Sequence, residues 1–344
     1  MAAERRWLAA ACLLFAGLAW QRLGWLAGNT GGIWGWDYRI YAAAWEKAAA
    51  GGNPYLPLTI GTGFLSHPFL LVLVAPFAGL GEAGYGLWAL LGAAAWLGTL
   101  WLCGRLVEVH GWRLVPLIFF TPAVEAVFMG QASALAGLAV VFAFQSGAAL
   151  AMAIALKTSP LALAGYFVAK GRSRFLGMTA LTLGLVTVLP MAVLYPELVA
   201  DFWGALTQLD GLVHHSPQNA SLIGLTGWAG MRWVGAAGYA GLVWLAYRRG
   251  GPSVRLYSAF LAWSILFSPL AWHHHFVLLA LPLAALLAQD WKLGLCAAAL
   301  FQWDGLFQQA VFPAALPALL GAGLVLAWGL GRPADILLTH DTIR

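Results

Sequence analysis

Charged residues are scarce in this sequence. Aspartate, glutamate, lysine and arginine make up 9% of it, whereas a soluble domain carries about 25%. Hydrophobic residues account for 62%, and the mean hydropathy is +0.80. This composition excludes an ordinary soluble domain and predicts an all-α polytopic membrane protein. The modest net charge of +5 is typical of cytoplasmic basic loops, so we expect membrane lipids rather than nucleic acid as partners.

Cysteine is also rare. The three cysteines, Cys12, Cys103 and Cys296, lie inside apolar runs, which argues against a disulfide framework and against a thiolate metal site. No soluble domain boundary and no solenoid repeat interrupt the chain. We therefore expect residues 1–344 to form a single integral-membrane domain.

The first hydrophobic run extends from Trp7 to about Ala27 and is long enough to cross a membrane. Arg5 and Arg6 precede it, so it resembles a retained signal anchor that leaves the cytoplasm. The polar loop at about 28–66 then lies outside. Helical composition after Asp37 predicts an interfacial helix at 38–50, ended by the Gly-Gly-Asn-Pro that follows.

Residues 67–80 decide the orientation of the later segments. They are apolar, but about 14 residues is short for a crossing. A crossing would put Arg105 and Arg113 outside, whereas a re-entrant or interfacial helix keeps the basic clusters inside, and we adopt the second reading. The chain then has about 12 transmembrane helices. Those after the first are expected at 85–104, 114–128, 131–146, 148–157, 159–169, 175–195, 230–247, 254–270, 273–288, 291–306 and 311–330.

Asp37 opens the outer loop among tryptophans. It is either a surface carboxylate or helix N-cap, or a general base or metal ligand at the mouth of a cavity. Burial near the tryptophans would raise its pKa, and a cation such as Arg39 would lower it. That balance suits removal of a proton from a bound hydroxyl.

Lys157 ends an apolar helix shortly before Pro160. Its ammonium either extends to the membrane interface or is held at a helix break to meet an anion such as a lipid phosphate. His273, His274 and His275 follow Trp272 with no acidic residue beside them in sequence. Adjacent helical residues diverge by about 100°, so hydrogen bonding to a phosphate or sugar is favoured over a shared metal ion.

Gln131 and Asn219 each open a predicted helix, where free backbone N–H groups face anions and sugar hydroxyls. These features occur in a fixed order that resembles the polyprenol-phosphate-sugar-dependent glycosyltransferases of the C-type superfamily, in particular family 87. The resemblance covers about residues 1–290. Its motifs are Asp37, Tyr38–Ala43, Gly52–Tyr55, His67–Phe69, Gly130–Gln131, Ala155–Pro160, Asn219–Leu222 and Trp272–His275.

The resemblance implies the C-type glycosyltransferase fold and an inverting transfer of a hexose, most often mannose. The donor would be a polyprenyl-phosphate-linked sugar and the acceptor a lipid or glycan. Asp37 would be the general base, and Lys157 with His274 or its neighbour His273 would neutralise the leaving phosphate. The residues expected to orient sugar or phosphate are Arg39, His67, Gln131 and Asn219. This scheme requires no cofactor and no metal.

The richness in alanine, glycine and tryptophan indicates a bacterium with a GC-rich genome, and hence a bacterial cytoplasmic membrane with the active site facing the periplasm or exterior. Two alternatives explain the hydrophobicity as well. A lipid-linked sugar transporter or flippase would also use an intramembrane lysine, but it predicts inverted repeats that the sequence does not display. A non-catalytic subunit of an envelope complex leaves Asp37 unexplained.

Overall fold

The computed structural model describes residues 2–29, 34–59, 63–213, 219–228, 230–302 and 316–331. Within these ranges the regular structure is helical and contains no β-strand, which confirms the all-α prediction. Predicted features at 214–218 and 303–315, including the end of span 291–306 and the start of span 311–330, lie outside the described residues.

The described part of the chain up to residue 193 contains ten α-helices. They are α1 (Ala2–Asn29), α2 (Trp36–Ala49), α3 (Phe69–Ala78), α4 (Gly81–Leu106), α5 (Gly111–Ile118), α6 (Thr121–Met129), α7 (Ser133–Phe142), α8 (Gly147–Leu156), α9 (Leu163–Ala169) and α10 (Ser173–Val193). A 3-10 helix at Ser159–Ala162 joins α8 to α9.

The remaining described helices lie after residue 197. They are α11 (Leu198–Val213), α12 (Leu222–Thr226), α13 (Met231–Arg248), α14 (Val254–Leu266), α15 (Ala280–Gln289), α16 (Trp291–Gln302) and α17 (Leu316–Leu330). A 3-10 helix at His273–Leu279 runs directly into α15.

The centre of the molecule is built from α14, the 273–279 helix and α15, in which nearly every residue is buried. Helix α10 lies at the periphery and exposes Leu181, Leu185 and Val188, which recur every three or four residues along one helical face. A contiguous apolar face of this kind is stable in lipid and unfavourable in water.

Among the described helices, three are long and apolar enough to cross a membrane alone: α1 over Glu4–Trp25, α4 and α10. Helices α5 and α6 pass the same test as a pair bent by 52°. The prediction of a membrane protein rests on these elements. The count of about 12 crossings is not confirmed, because helices such as α7 and α8, with 10 residues each, are too short to cross singly.

Helix α3 occupies the segment that decided the predicted orientation. Its 10 residues extend about 15 Å, roughly half of a hydrocarbon core. It packs between α2 and α4, and the hydroxyl of Tyr38 donates to the carbonyl oxygen of Phe77 at its end. The helix is therefore too short to cross alone, and its re-entrant placement stays a prediction; its contact with Tyr38 holds α2 against it.

Candidate active site

A pocket of about 250 Å³ lies where α2, residues 63–67, the end of α8 and residues 268–275 meet. Four side chains predicted from sequence to act on a substrate line it, namely Asp37, His67, Gln131 and Lys157. The fold thus gathers into one cavity residues that are separated by as much as 120 positions in sequence.

Helix α2 presents Asp37 to this pocket from its buried face, on which Tyr41 and Ala44 follow at helical spacing. Gly35 caps the helix at φ 72°, and its N–H donates to the carbonyl oxygen of Phe128 at 2.9 Å. Asp37 is 5% exposed and makes no capping hydrogen bond. The readings of Asp37 as a surface carboxylate or as an N-cap are therefore wrong.

Gln131 connects Asp37 to the rest of the site. Its Oε1 accepts from the hydroxyl of Tyr41 at 2.8 Å and from Nζ of Lys157 at 3.1 Å, so its Nε2 is left to donate to the Asp37 carboxylate. Burial raises the pKa of Asp37 to about 7, while the Gln131 hydrogen bond and the Lys157 charge oppose that rise. Among the described residues no group donates to Oδ2 of Asp37.

Lys157 stands at the break between α8 and the 159–162 helix. Its backbone N–H closes α8 on the carbonyl oxygen of Ala153, and its own conformation is extended at φ −148°. The ammonium is thereby directed inward, where its Nζ lies 3.1 Å from Nε2 of His275 and 3.5 Å from Nε2 of His274. Lys157 therefore lies at the predicted helix break, and the anion that it would meet there stays a prediction.

The three histidines are divided between two environments. His275 lines the pocket, with Nδ1 3.3 Å from the backbone nitrogen of Trp272 and Nε2 beside Nζ of Lys157; a neutral imidazole accepts from one of these two donors, not both. His274 is buried beside Lys157. His273 does not line the pocket, and its Nδ1 lies 3.0 Å from Oε2 of Glu125. The expectation that these histidines have no acidic neighbour holds in sequence but is wrong in space.

His67 borders the pocket in a defined tautomer. Its Nδ1 accepts from the backbone N–H of Phe69 at 3.2 Å, so Nε2 carries the proton and faces Oγ1 of Thr187 at 3.2 Å. Burial lowers the pKa of His67 to about 4. This imidazole is therefore neutral and suited to a hydrogen bond rather than to charge neutralisation.

Two predicted site residues lie elsewhere. Arg39 is exposed and pairs with Glu82 at 3.1 Å, so the cation that opposes the rise in the pKa of Asp37 is Lys157 rather than Arg39. The amide of Asn219 donates to the carbonyl oxygen of Pro269 and accepts from the N–H of Ala271. These bonds fasten residues 219–221 to the chain that leads into the histidines.

Sequence reasoning missed three residues near the site. Tyr41 orients Gln131, and its spacing of four from Asp37 on a helix was the available signal. His275 lines the wall in place of the two histidines that were chosen. Arg22 pairs with Glu125 at 2.9 Å, and an arginine inside an apolar run is itself a sign of a buried partner.

The arrangement combines two buried groups that face one cavity, an ammonium and a carboxylate with one oxygen that has no donor among the described residues. Such a pair can accept a proton at one point and stabilise negative charge at another. Within the described ranges, no group of three or more histidine, cysteine, aspartate or glutamate side chains is placed to hold a metal ion.

Comparisons with known proteins identify the chain at the level of a family. A search of curated proteins and a search of solved structures each gave no significant match. The family model for glycosyltransferase family 87 matches residues 64–288, which include Gln131, Lys157 and the histidine segment, while Asp37 lies before the matched range. Since the match covers more than half of the sequence, the chain belongs to glycosyltransferase family 87.

Proposed function

We propose that this membrane glycosyltransferase moves a hexose, with mannose as the first candidate, from a polyprenyl-phosphate-linked donor to a lipid or glycan acceptor. The transfer takes place on the outer face of a bacterial cytoplasmic membrane and inverts the anomeric configuration. Family membership supports the transfer of a sugar. A donor carried by a lipid suits a site formed among apolar helices.

The observation that carries the proposal is the environment of Asp37. A carboxylate that is 5% exposed, lines a pocket and has an oxygen without a donor among the described residues is costly to maintain for stability alone. Its raised pKa lies near the working pH, where a general base is most effective. An acceptor hydroxyl would supply the hydrogen bond that Oδ2 lacks.

In the proposed step, Oδ2 of Asp37 takes the proton of the acceptor hydroxyl. The acceptor oxygen forms a bond to the anomeric carbon from the face opposite the phosphate, and the bond from that carbon to the phosphate oxygen breaks. The electron pair leaves with the polyprenyl phosphate. Asp37 then releases its proton to solvent, so the enzyme returns to its starting state.

The leaving phosphate requires positive charge and hydrogen bonds rather than a general acid. Lys157 supplies the charge, and the imidazoles of His274 and His275 beside its Nζ extend the same edge of the site. His67 and Gln131 are the polar groups of the wall that orient the sugar or phosphate. All of these groups belong to the chain, so the step requires no cofactor.

Two other functions would use a similar membrane fold. A lipid-linked sugar transporter or a non-catalytic envelope subunit would not need Asp37 to take a proton from an acceptor hydroxyl. Membership of a glycosyltransferase family favours transfer over both.

The test measures sugar transfer by the purified protein in nanodiscs. Polyprenyl-phosphate-mannose is supplied with a membrane lipid extract, and a nucleotide-linked mannose serves as the control donor. We expect transfer from the lipid-linked donor, a product of opposite anomeric configuration, and the same rate with a chelator present. Transfer from the nucleotide sugar, or no turnover of any lipid-linked donor, would contradict the proposal. Loss with chelator would instead make Asp37 and the histidines metal ligands.

A further inference from the structure

A second pocket, of about 210 Å³, lies at the far end of α7 and α8 from the active site. Helix α7 begins two residues after Gln131 and ends two residues before Phe144, which lines this pocket, and α8 then returns to Lys157. Each helix has 10 residues, so about 15 Å of helix separates the two pockets. The proposed sugar transfer does not use the second pocket.

The inner wall of the second pocket is aromatic and held in place by its own contacts. Tyr166 is buried, and its hydroxyl donates to the carbonyl oxygen of Ser253 at 3.3 Å and accepts from the N–H of Ser253 at 2.8 Å. The ring of Phe167 stacks on that of Phe175 with centroids 4.0 Å apart. The wall therefore has a defined shape in the protein without a ligand.

The cationic side of the pocket consists of Lys170 and Arg172. Nζ of Lys170 donates to the carbonyl oxygen of Ala246 at 2.7 Å and to that of Gly250, at the C-terminal end of α13. These bonds give Lys170 a structural use as a cap of α13. Among the described residues, the side chain of Arg172 makes no hydrogen bond and no ion pair, so its guanidinium has no comparable use.

The sequence around this pocket contains no acid. The lining residues belong to two stretches, 126–196 and 211–289, which together hold eight lysines and arginines and no aspartate or glutamate. A guanidinium is planar and presents parallel N–H donors that match two oxygens of a phosphate. An anion from outside the chain is therefore a fitting partner for Arg172.

The surface beside the pocket favours a lipid over a soluble anion. Val168 on α9 and Tyr247, which lines the pocket, are each more than half exposed. Trp244, one turn earlier on α13, is also more than half exposed, and the guanidinium of Arg248 lies 5.7 Å from its ring centroid. Exposed aromatic rings with basic neighbours are typical of the membrane–water interface, where basic pockets between helices bind anionic head groups.

We propose that the pocket between α9 and α13 binds the phosphodiester head group of an anionic phospholipid. Arg172 holds the phosphate, and Lys170 lies beside it on the same wall. Helices α9 and α13 pack against each other, so a lipid that contacts both stabilises the folded protein. This lipid takes no part in the sugar transfer.

The first test uses the wild-type protein, purified in detergent and depleted of lipid. Phosphatidylglycerol, phosphatidylcholine and inorganic phosphate are added separately, and native mass spectrometry and the melting temperature report binding. Both lipids carry a phosphodiester, but the choline group cancels its charge. We expect one phosphatidylglycerol to bind about fivefold or more tighter than phosphatidylcholine and to raise the melting temperature.

Two results of this first test would overturn the proposal. Equal binding of the two lipids would show that the pocket does not select an anionic head group. Stabilisation by inorganic phosphate equal to that by phosphatidylglycerol would assign the pocket to a free anion instead of a lipid. Neither measurement involves sugar transfer, so the result is independent of the proposed function.

The second test compares R172Q with R174Q. Arg174 is exposed and does not line the pocket, so R174Q removes the same charge two residues away. We expect R172Q to weaken phosphatidylglycerol binding about tenfold or more, and R174Q to weaken it less than about threefold. Equal weakening in both variants, or undiminished binding in R172Q, would overturn the role of Arg172. If R172Q does not fold, the wild-type comparison still decides, because it requires no variant.

Discussion

Lys157 donates to Oε1 of Gln131 across 3.1 Å, and this contact places a neutral amide between the cation of the site and its base. The other end of the amide donates to Asp37. Within the described residues, Asp37 and Lys157 form no direct ion pair. Burial therefore outweighs two opposing effects on the pKa of Asp37, the hydrogen bond from Gln131 and the charge of Lys157, and the carboxyl keeps a raised pKa.

Replacing Asp37 with asparagine should abolish transfer and spare donor binding. The change keeps the shape of the side chain and removes the base, which is worth about 10²–10⁴-fold in rate. The rate of transfer and the Kd for polyprenyl phosphate are measured side by side. The matched control is E46Q, an exposed carboxylate on the same helix, which should retain wild-type transfer. Equal loss in both variants would contradict the role of Asp37.

The rate should rise with pH in a range set by Asp37. The base is active when deprotonated, so kcat should increase through about pH 7 and level off above it, rather than being constant from pH 5 upward. Gln131 lowers this pKa, so Q131L should move the midpoint to higher pH. The measurement is kcat from pH 5 to 9 with saturating donor. A midpoint near 4 in the wild type would contradict the raised pKa.

The sequence was sufficient to predict which types of residue form the site, but not which of the candidate side chains lie together in the pocket. Asp37, Lys157 and Gln131 were selected because each stands at the start or end of a helix, where a polar group needs a reason. Asn219 satisfied the same criterion, and Arg39 was expected to act as a cation near Asp37. Both are used elsewhere, Arg39 on the surface and Asn219 in backbone hydrogen bonds. A helix end can be predicted from the local sequence. The group that a polar side chain at that end contacts depends on packing between distant segments.

The start of helix α2 also could not be predicted from the local sequence. The predicted interfacial helix began at Tyr38, but α2 begins at Trp36 because Gly35 adopts a positive φ and binds Phe128. This shift of two residues moves Asp37 from a capping position into the first turn. It results from a contact between residues 93 positions apart in sequence, which no local pattern contains.

Replacing Lys157 with methionine should weaken both donor binding and catalysis. The substitution keeps an unbranched side chain of similar length but removes the positive charge that would meet the phosphate. We expect the Kd for polyprenyl phosphate and kcat each to worsen about tenfold or more. K47M, which removes an exposed ammonium bound to the carbonyl oxygen of Leu56, is the control. Unchanged affinity in K157M would place the phosphate elsewhere.

Replacing Asn219 with alanine should destabilise the protein rather than change its sugar contacts. The substitution leaves backbone groups of Pro269, Ala271 and Ser221 without their partner, at about 1–3 kcal/mol for each buried group that stays unsatisfied. We expect a lower melting temperature and an unchanged KM for the folded fraction. A raised KM with an unchanged melting temperature would instead assign Asn219 to the sugar.

Replacing Gly130 with alanine should damage the active site through the backbone. Gly130 has φ 71°, and an added Cβ would lie 2.6 Å from Cβ of Tyr38, the residue after Asp37. The matched control is G171A, since Gly171 has φ 64° and no atom within 4 Å of the added Cβ.

Both substitutions incur the left-handed strain of about 1 kcal/mol, so both should lower the melting temperature slightly. G130A additionally pushes α2 away from Gln131 and should reduce kcat about tenfold or more, because small displacements of a catalytic group are costly. The measurements are kcat and melting temperature for both variants. Equal activity in the two would show that the position of α2 does not control Asp37.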